Sequence, residues 1–127
     1  MRTFYLFLIL IPALAACKSD KDFSPSEIWS EGCVTFKSDK DGYKLSGMCC
    51  EYVVISKMKL KKNNSFSTSG KYFTYTGAGY QEIPVNIQGK LSDDRGSLDL
   101  SYQFDGTKKS FALKAGGATA ACLCGCD

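Results

Sequence analysis

Seven cysteines and no histidine bound the chemistry open to this 127-residue chain. Cys17 closes an apolar N-terminal run, and the other six fall into three groups: Cys33, the adjacent pair Cys49 and Cys50, and Cys122, Cys124 and Cys126 in the tail. Thiols form disulfides, hold soft metals or cycle between redox states. Without an imidazole there is no Ser-His-Asp or Cys-His catalytic set, no histidine metal ligand and no histidine pH switch. Six thiols in one small domain of an oxidising compartment read as a disulfide framework with fifteen conceivable pairings. Adjacent cysteines would close a strained ring, and thiols two apart rarely reach each other without distorting the backbone. If both are excluded, and Cys33 does not join the Cys49-Cys50 pair, each of Cys33, Cys49 and Cys50 takes one tail partner, which leaves six arrangements. The purpose is mechanical, because Ala115 to Ala121 is rich in glycine and alanine and would otherwise fray. A bridge from the tail to Cys33 closes a loop of about 90 residues, on the order of 4.5 kcal/mol in the chain-entropy account.

Cys49-Cys50 together with Cys122-Leu123-Cys124-Gly125-Cys126 also resembles, in spacing, the metallothionein-type sites whose thiolates share copper(I) or zinc. That resemblance implies a soft-metal alternative to the disulfides, and thiol redox chemistry is a third. Lys57, Lys59 and Lys61 alternate with Met58 and Leu60, with Lys62 just beyond, so a strand there would put three ammonium groups on one face as a candidate site for anionic glycans or lipid headgroups. The plainer reading of the same lysines is a charged edge strand that prevents sheets from joining edge to edge. Tyr72, Phe73, Tyr75 and Tyr80 offer aromatic faces for stacking on a sugar, or a division between core and outer face. Lys37 to Gly42 resembles part of a calcium loop through Asp39, Asp41 and Gly42, but Lys37 and Met48 stand where oxygen ligands belong, so an acidic turn is expected and no metal ligand is assigned. Asp93-Asp94 lies in a turn, no carboxylate pair is placed in a cleft, and no nucleophile has an identifiable activator. A formal charge of +3 is too slight for a nucleic-acid partner.

The first sixteen residues form a processing signal. Arg2 gives a positive start, Phe4 to Ile11 is apolar throughout but too short to span a bilayer, and small residues follow. Leu14-Ala15-Ala16-Cys17 resembles the lipobox of bacterial lipoproteins, which implies cleavage before Cys17, a diacylglycerol on its thiol and usually an acyl chain on its new amino group. The mature chain would then hold 111 residues with 15 basic and 13 acidic side chains. Several acyl chains at about 0.8 kcal/mol per buried methylene anchor a protein of this size essentially permanently. Lys18 stands where an aspartate retains enteric lipoproteins on the inner membrane, so the resemblance implies the outer membrane. Ser19-Asp20-Lys21-Asp22-Phe23 is similar to the short acidic signals that carry lipoproteins of the Bacteroidota to the cell surface, and serves equally as a polar tether.

The elements that must position these residues are mostly strands. Residues 17–23 read as lipidated cysteine and tether, and 24–127 as one disulfide-stapled domain. Ser24-Pro25-Ser26-Glu27 has the features of a helix start, a capping serine, a proline at the first position and a glutamate closing the box, so a short helix is expected over Pro25 to Glu31. From Cys33 onward turn residues recur every eight to twelve positions. Strands are expected over Val34 to Lys37, Tyr43 to Ser46 after a turn at Asp41-Gly42, Glu51 to Lys61, Phe66 to Ser69, Lys71 to Thr76, Tyr80 to Lys90, Gly96 to Phe104 and Ser110 to Lys114. Pro84 lacks a ladder donor and belongs at an edge or bulge. The fold class is all-β, a small antiparallel meander of seven or eight strands closed as a barrel or stacked as a sandwich. Its pattern over residues 24–114 is similar to small bacterial lipocalin-like lipoproteins, without the Gly-x-Trp of true lipocalins, since Glu27-Ile28 precedes Trp29.

These readings converge on a lipid-anchored envelope protein at the outer membrane, facing the periplasm or the cell surface, with no enzymatic activity and no cofactor. It would bind an unidentified protein, glycan or small molecule, or contribute to the surface. A thiolate metal-binding lipoprotein and an inhibitor presenting a rigid loop to another organism's enzyme are the alternatives.

Overall fold

The computed structural model describes residues 28–126. Eight strands follow one another around a closed barrel, each antiparallel to the next: β1 Trp29–Glu31, β2 Val34–Asp39, β3 Gly42–Met48, β4 Glu51–Ile55, β5 Ser65–Tyr75, β6 Tyr80–Leu91, β7 Ser97–Phe104 and β8 Thr107–Ala115. Nearest-neighbour pairing suits a chain whose connections are short, and closure removes the exposed edges that an open meander would carry. The alternation legible in Leu98, Leu100 and Tyr102 turns those side chains inward, where Phe36, Leu45, Val53, Ile55, Ile87 and Leu113 meet them. Eight strands enclose just enough room for such side chains to fill the axis.

The weakest seam is at β1, only three residues long, which pairs with β2 through Trp29↔Phe36 and closes the barrel on β8 through Trp29↔Ala115. Here the helix expected over Pro25 to Glu31 does not include its last three residues. Ser24 to Glu27 lie outside the described residues, but Trp29 to Glu31 are strand, because a helix there would forfeit both ladders and the burial of the Trp29 ring against Phe36. Local capping signals are worth about 1 kcal/mol and lose to that packing.

Three further boundaries move for identifiable reasons. The first hairpin turns at Lys40-Asp41, where Lys40 takes a positive φ of 48°, and Gly42 is already in β3, paired with Asp39. Gly42 is required by crowding: a Cβ there would stand 2.1 Å from the Ile55 carbonyl oxygen. Gly70 likewise ends no strand. It lies within the eleven-residue β5, where a Cβ would collide with Ile87 and the Val54 carbonyl. The strand expected over Glu51 to Lys61 stops at Ile55, and 56–64 form a connection that sends Met58 and Leu60 into the core. Pro84 sits where its missing donor costs nothing, in the part of β6 that pairs with β5 beyond the reach of β7.

The antiparallel order fixes two ends. One carries the connections 40–41, 56–64 and 92–96 and is called the lysine end; the other carries 32–33, 49–50, 76–79 and 105–106 and is called the disulfide end.

Candidate functional site

The tail begins where β8 leaves the barrel. Gly116 N–H donates to the Ile28 carbonyl (2.7 Å), and the Ser30 hydroxyl, buried on the outside of β1, donates to the carbonyls of Gly116 and Gly117 at 2.9 and 2.8 Å. The chain then doubles back along β1, with Thr119 N–H donating to the Gly32 carbonyl at 3.1 Å. Gly116 makes the reversal with a φ of 125°, a left-handed conformation that residues with a side chain rarely adopt. Three disulfides finish it: Cys33–Cys122, Cys49–Cys124 and Cys50–Cys126, with Cα separations of 5.6, 5.2 and 5.5 Å. This is one of the six arrangements open from the sequence, with partners taken in chain order. The Cys-x-Cys-x-Cys tail that matched soft-metal spacing is therefore used in three bridges to two connections, 32–33 and 49–50, at one end of the barrel.

The bridges differ in worth. With its cysteines 89 positions apart in sequence, Cys33–Cys122 would stabilise by about 4.5 kcal/mol if it were the sole bridge. Once it exists, Cys49–Cys124 closes a much shorter circuit worth about 3 kcal/mol, and Cys50–Cys126 a shorter one still, about 1 to 2 kcal/mol. Between two pinned cysteines Leu123 projects into solvent, 98% exposed, although leucine is among the residues most often buried. Nothing local in the sequence distinguishes Leu123 from its neighbours in the cysteine motif.

Beside this clasp, on the outer face of β4, β5 and β6, lie the aromatics. Tyr52 stacks on Phe73 at 4.6 Å between centroids, Tyr80 meets Tyr52 edge-on at 5.3 Å and Tyr75 at 5.5 Å, and the Lys44 ammonium stands 4.4 Å above Tyr52. Tyr52–Phe73 and Tyr75–Tyr80 are directly opposed across their ladders, the arrangement that stabilises a sheet pair by a few tenths to about 1 kcal/mol. Of the four aromatics singled out in the sequence, Phe73, Tyr75 and Tyr80 share this face, and Tyr72 points into the barrel, 1% exposed. Tyr52 was legible as the fourth member, since it alternates with the inward Val53.

Inside the same end the barrel carries a polar layer. Lys109 Nζ bonds Glu51 Oε2 at 2.5 Å and lies 3.4 Å from the Tyr72 hydroxyl, and the Tyr102 hydroxyl donates to Met48 Sδ at 3.5 Å. Burial alone would lower the Lys109 pKa, but its hydrogen bonds to Glu51 and Tyr72 outweigh that and hold it above the usual lysine value. The Tyr72 phenol is pushed up by burial and then by Glu51, and the Tyr102 phenol is pushed up chiefly by burial. A lysine so held keeps its proton and offers no lone pair for nucleophilic work. The Glu51–Lys109 pair escaped sequence reasoning because its partners are 58 residues apart, although Lys109 alternates in phase with Phe111 and Leu113.

At the opposite end, Lys57, Lys59 and Lys61 do not lie on a strand as expected; they occupy the 56–64 connection, with Lys59 in an isolated bridge. Their alternation persists because Met58 and Leu60 are drawn inward, leaving all three ammonium groups exposed. A hollow of about 790 Å³ between this connection and the first hairpin is lined by Asp39, Lys40, Asp41, Lys57, Ser69 and Lys71. The segment matched to a calcium loop is the β2–β3 hairpin, in which Met48, at the far end of β3, packs near Tyr102. A second hollow, about 630 Å³, lies across the outer faces of β5 to β8 beside Ser67, Gln88, Asp99, Ser101 and Ser110. Cys17 lies outside the described residues.

No family model, curated protein or solved structure matches the chain.

Proposed function

We propose that this chain is an exported, lipid-anchored, non-enzymatic binding protein of the bacterial outer envelope, held by Cys17 and presenting its disulfide end to a partner. The observation that supports the reading is the set of three bridges fastening the tail to the opening strands, since such bridges form and persist in oxidising compartments and not in a reducing cytosol. With the Leu14-Ala15-Ala16-Cys17 run it favours an envelope lipoprotein over a cytosolic one. A small-molecule carrier with an internal cavity is not proposed, because Phe36, Leu45, Ile87, Leu98 and Leu100 occupy the axis where a lipocalin-type ligand would lie. Cys17→Ser, expressed in a bacterial host, is expected to move the protein from the detergent-extracted membrane fraction to a soluble or unprocessed pool. An unchanged lipid-modified membrane form would overturn the reading. Protease added to intact cells then decides the direction: removal of the domain places it at the surface, as Ser19 to Phe23 would direct, and protection places it facing the periplasm.

One observation favours the inhibitor as a second reading. Leu123 is held between Cys122 and Cys124, each bridged to a different part of the barrel, so its segment binds with little ordering cost. An enzyme pocket that accepts leucine from an extended segment is the fitting partner. Leu123→Asp is expected to abolish any inhibition found against a panel of extracellular endopeptidases while leaving the barrel intact. The thiolate-metal alternative is tested by mass: three bridges leave no thiol to alkylate without reductant, whereas a metal cluster alkylates fully once a chelator strips it.

A further inference from the structure

We propose that the lysine end of the barrel docks on an anionic phospholipid bilayer, so that the molecule sits upright with its disulfide end turned away from the membrane. The inference rests on the lipid-anchor reading for its geometry, and adds to it a surface and a partner chemistry.

Three observations carry it. The connections at the lysine end contain Lys40, Lys57, Lys59, Lys61, Lys62 and Arg95 against Asp41, Asp93 and Asp94, whereas those at the disulfide end contain one charged residue, Asp105. Asp93 and Asp94 are engaged by Asn64, Ser92 and the Gly96 N–H, and among the described residues none of the five lysines forms an ion pair. Edge protection cannot explain the lysines, since β4 and β5 are paired on both sides in a closed barrel with no edge to guard. Buried Met58 and Leu60 instead pin the connection, so that Lys57, Lys59 and Lys61 are held outward.

The third observation is where the chain enters. β1 runs from the lysine end, so the segment from Cys17 reaches the barrel on that side, at Ile28. Eleven residue steps cannot exceed about 40 Å however they are arranged. The twelve residues of β6, tilted as barrel strands are, put the two ends about 30 Å apart. Bringing the disulfide end to the bilayer would consume nearly the whole tether along the barrel wall, while the lysine end reaches it with slack to spare. Lysines near an anionic surface are attracted within about a Debye length, roughly 10 Å at 0.1 M salt, so a short tether and a basic end act together. Lys40 and Lys57 at the rim of the 790 Å³ hollow offer a seat for a headgroup phosphate, with Asp39 and Asp41 in the same wall limiting how deep an anion enters.

The test uses the mature lipidated protein reconstituted into vesicles of phosphatidylcholine alone or of phosphatidylcholine with phosphatidylglycerol, footprinted with an amine-acylating reagent and read by mass spectrometry. Lys57, Lys59, Lys61 and Lys62 are expected to react several-fold more slowly in the phosphatidylglycerol vesicles, with Lys44 and Lys108 unchanged and the protection lost in high salt. Equal reactivity in both vesicles overturns the docking proposal while leaving the anchor standing. If the protein enters neither vesicle the anchor reading fails, and sedimentation with phosphatidylglycerol vesicles decides the docking by itself. Binding that is abolished by Lys57→Gln, Lys59→Gln, Lys61→Gln and Lys62→Gln together upholds it, and no binding overturns it.

Discussion

The two ends of the barrel are closed by different physics. At the lysine end a connection of ordinary residues folds over and buries Met58 and Leu60, so the fastening is hydrophobic and the charges are left outside. At the disulfide end the inner layer is polar, with Glu51, Lys109 and two tyrosines, and the fastening is covalent and external, three bridges to a tail with no charged side chain between Lys114 and Asp127. A closure that depends on apolar burial can be loosened by a single truncation. One that depends on cross-links responds to reductant, and its polar lining responds to pH.

The largest expected effect is therefore reduction. Opening all three bridges should lower the unfolding free energy by at least about 4.5 kcal/mol, read as a drop in the denaturant midpoint, and limited proteolysis should cut first within 116–126. An unchanged midpoint, or first cleavage elsewhere, would show that the tail is held by something other than its bridges. The intact form should also be six mass units lighter than the reduced one. At the other end Met58→Ala should cost about 2 to 5 kcal/mol with the bridges intact, measured the same way. A cost below about 1 kcal/mol would mean that the 56–64 connection contributes little to closure.

Within the disulfide end the bridges should rank by the circuit each closes. Replacing Cys33 and Cys122 together by serine should cost about 3 kcal/mol, because the other two bridges still hold the tail, and replacing Cys50 and Cys126 about 1 to 2. The reverse order would remove the loop-entropy account. The two ends should also fail at opposite extremes of pH. Lys109, Tyr72 and Tyr102 all have pKa values raised in the folded state, so their contribution is complete below the ordinary values of 10.0 for tyrosine and 10.5 for lysine and is lost as pH rises through the folded values. Asp94, at the lysine end, has its pKa lowered by the Ser92 hydroxyl and then the Gly96 N–H, so its contribution is present above 3.8 and fades as pH falls through the folded value. Alkaline titration with tyrosine absorbance should show the phenols of Tyr72 and Tyr102 ionising only with loss of the barrel signal. The acid effect, resting on one exposed turn, should be the smallest of all and vanish in Asp94→Asn. Early, separate ionisation of both phenols would show that the polar layer is open to water.

Much of the fold was legible because it depends on a period of two. Leu98, Leu100 and Tyr102 announced their inward face, and turn residues recurring every eight to twelve positions announced short antiparallel strands. The errors share a cause. Gly42 and Gly70 look like turns because a glycine in sequence does not say whether it supplies a positive φ or makes room for a neighbour, and the collisions with Ile55 and Ile87 exist only in the closed barrel. Lys57, Lys59 and Lys61 alternate as a strand does because an extended connection over an apolar end obeys the same alternation without a ladder. Trp29 looks helical in sequence because the capping signal of Ser24 to Glu27 is local, while its partners Phe36 and Ala115 lie 7 and 86 residues away.

What the sequence determined by itself is therefore what depends on neighbours in the chain: the apolar alternation and the thiol spacings that left six pairings open. The tertiary structure decided what depends on distance in space. It selected the chain-order pairing of the cysteines, turned the tail back along β1 so that Leu123 stands exposed, joined Glu51 to Lys109, and gathered the lysines at the end where the chain enters. Those outcomes follow from barrel closure, which no window of a few residues contains, because the free energy that selects it comes from contacts made across the whole circuit at once.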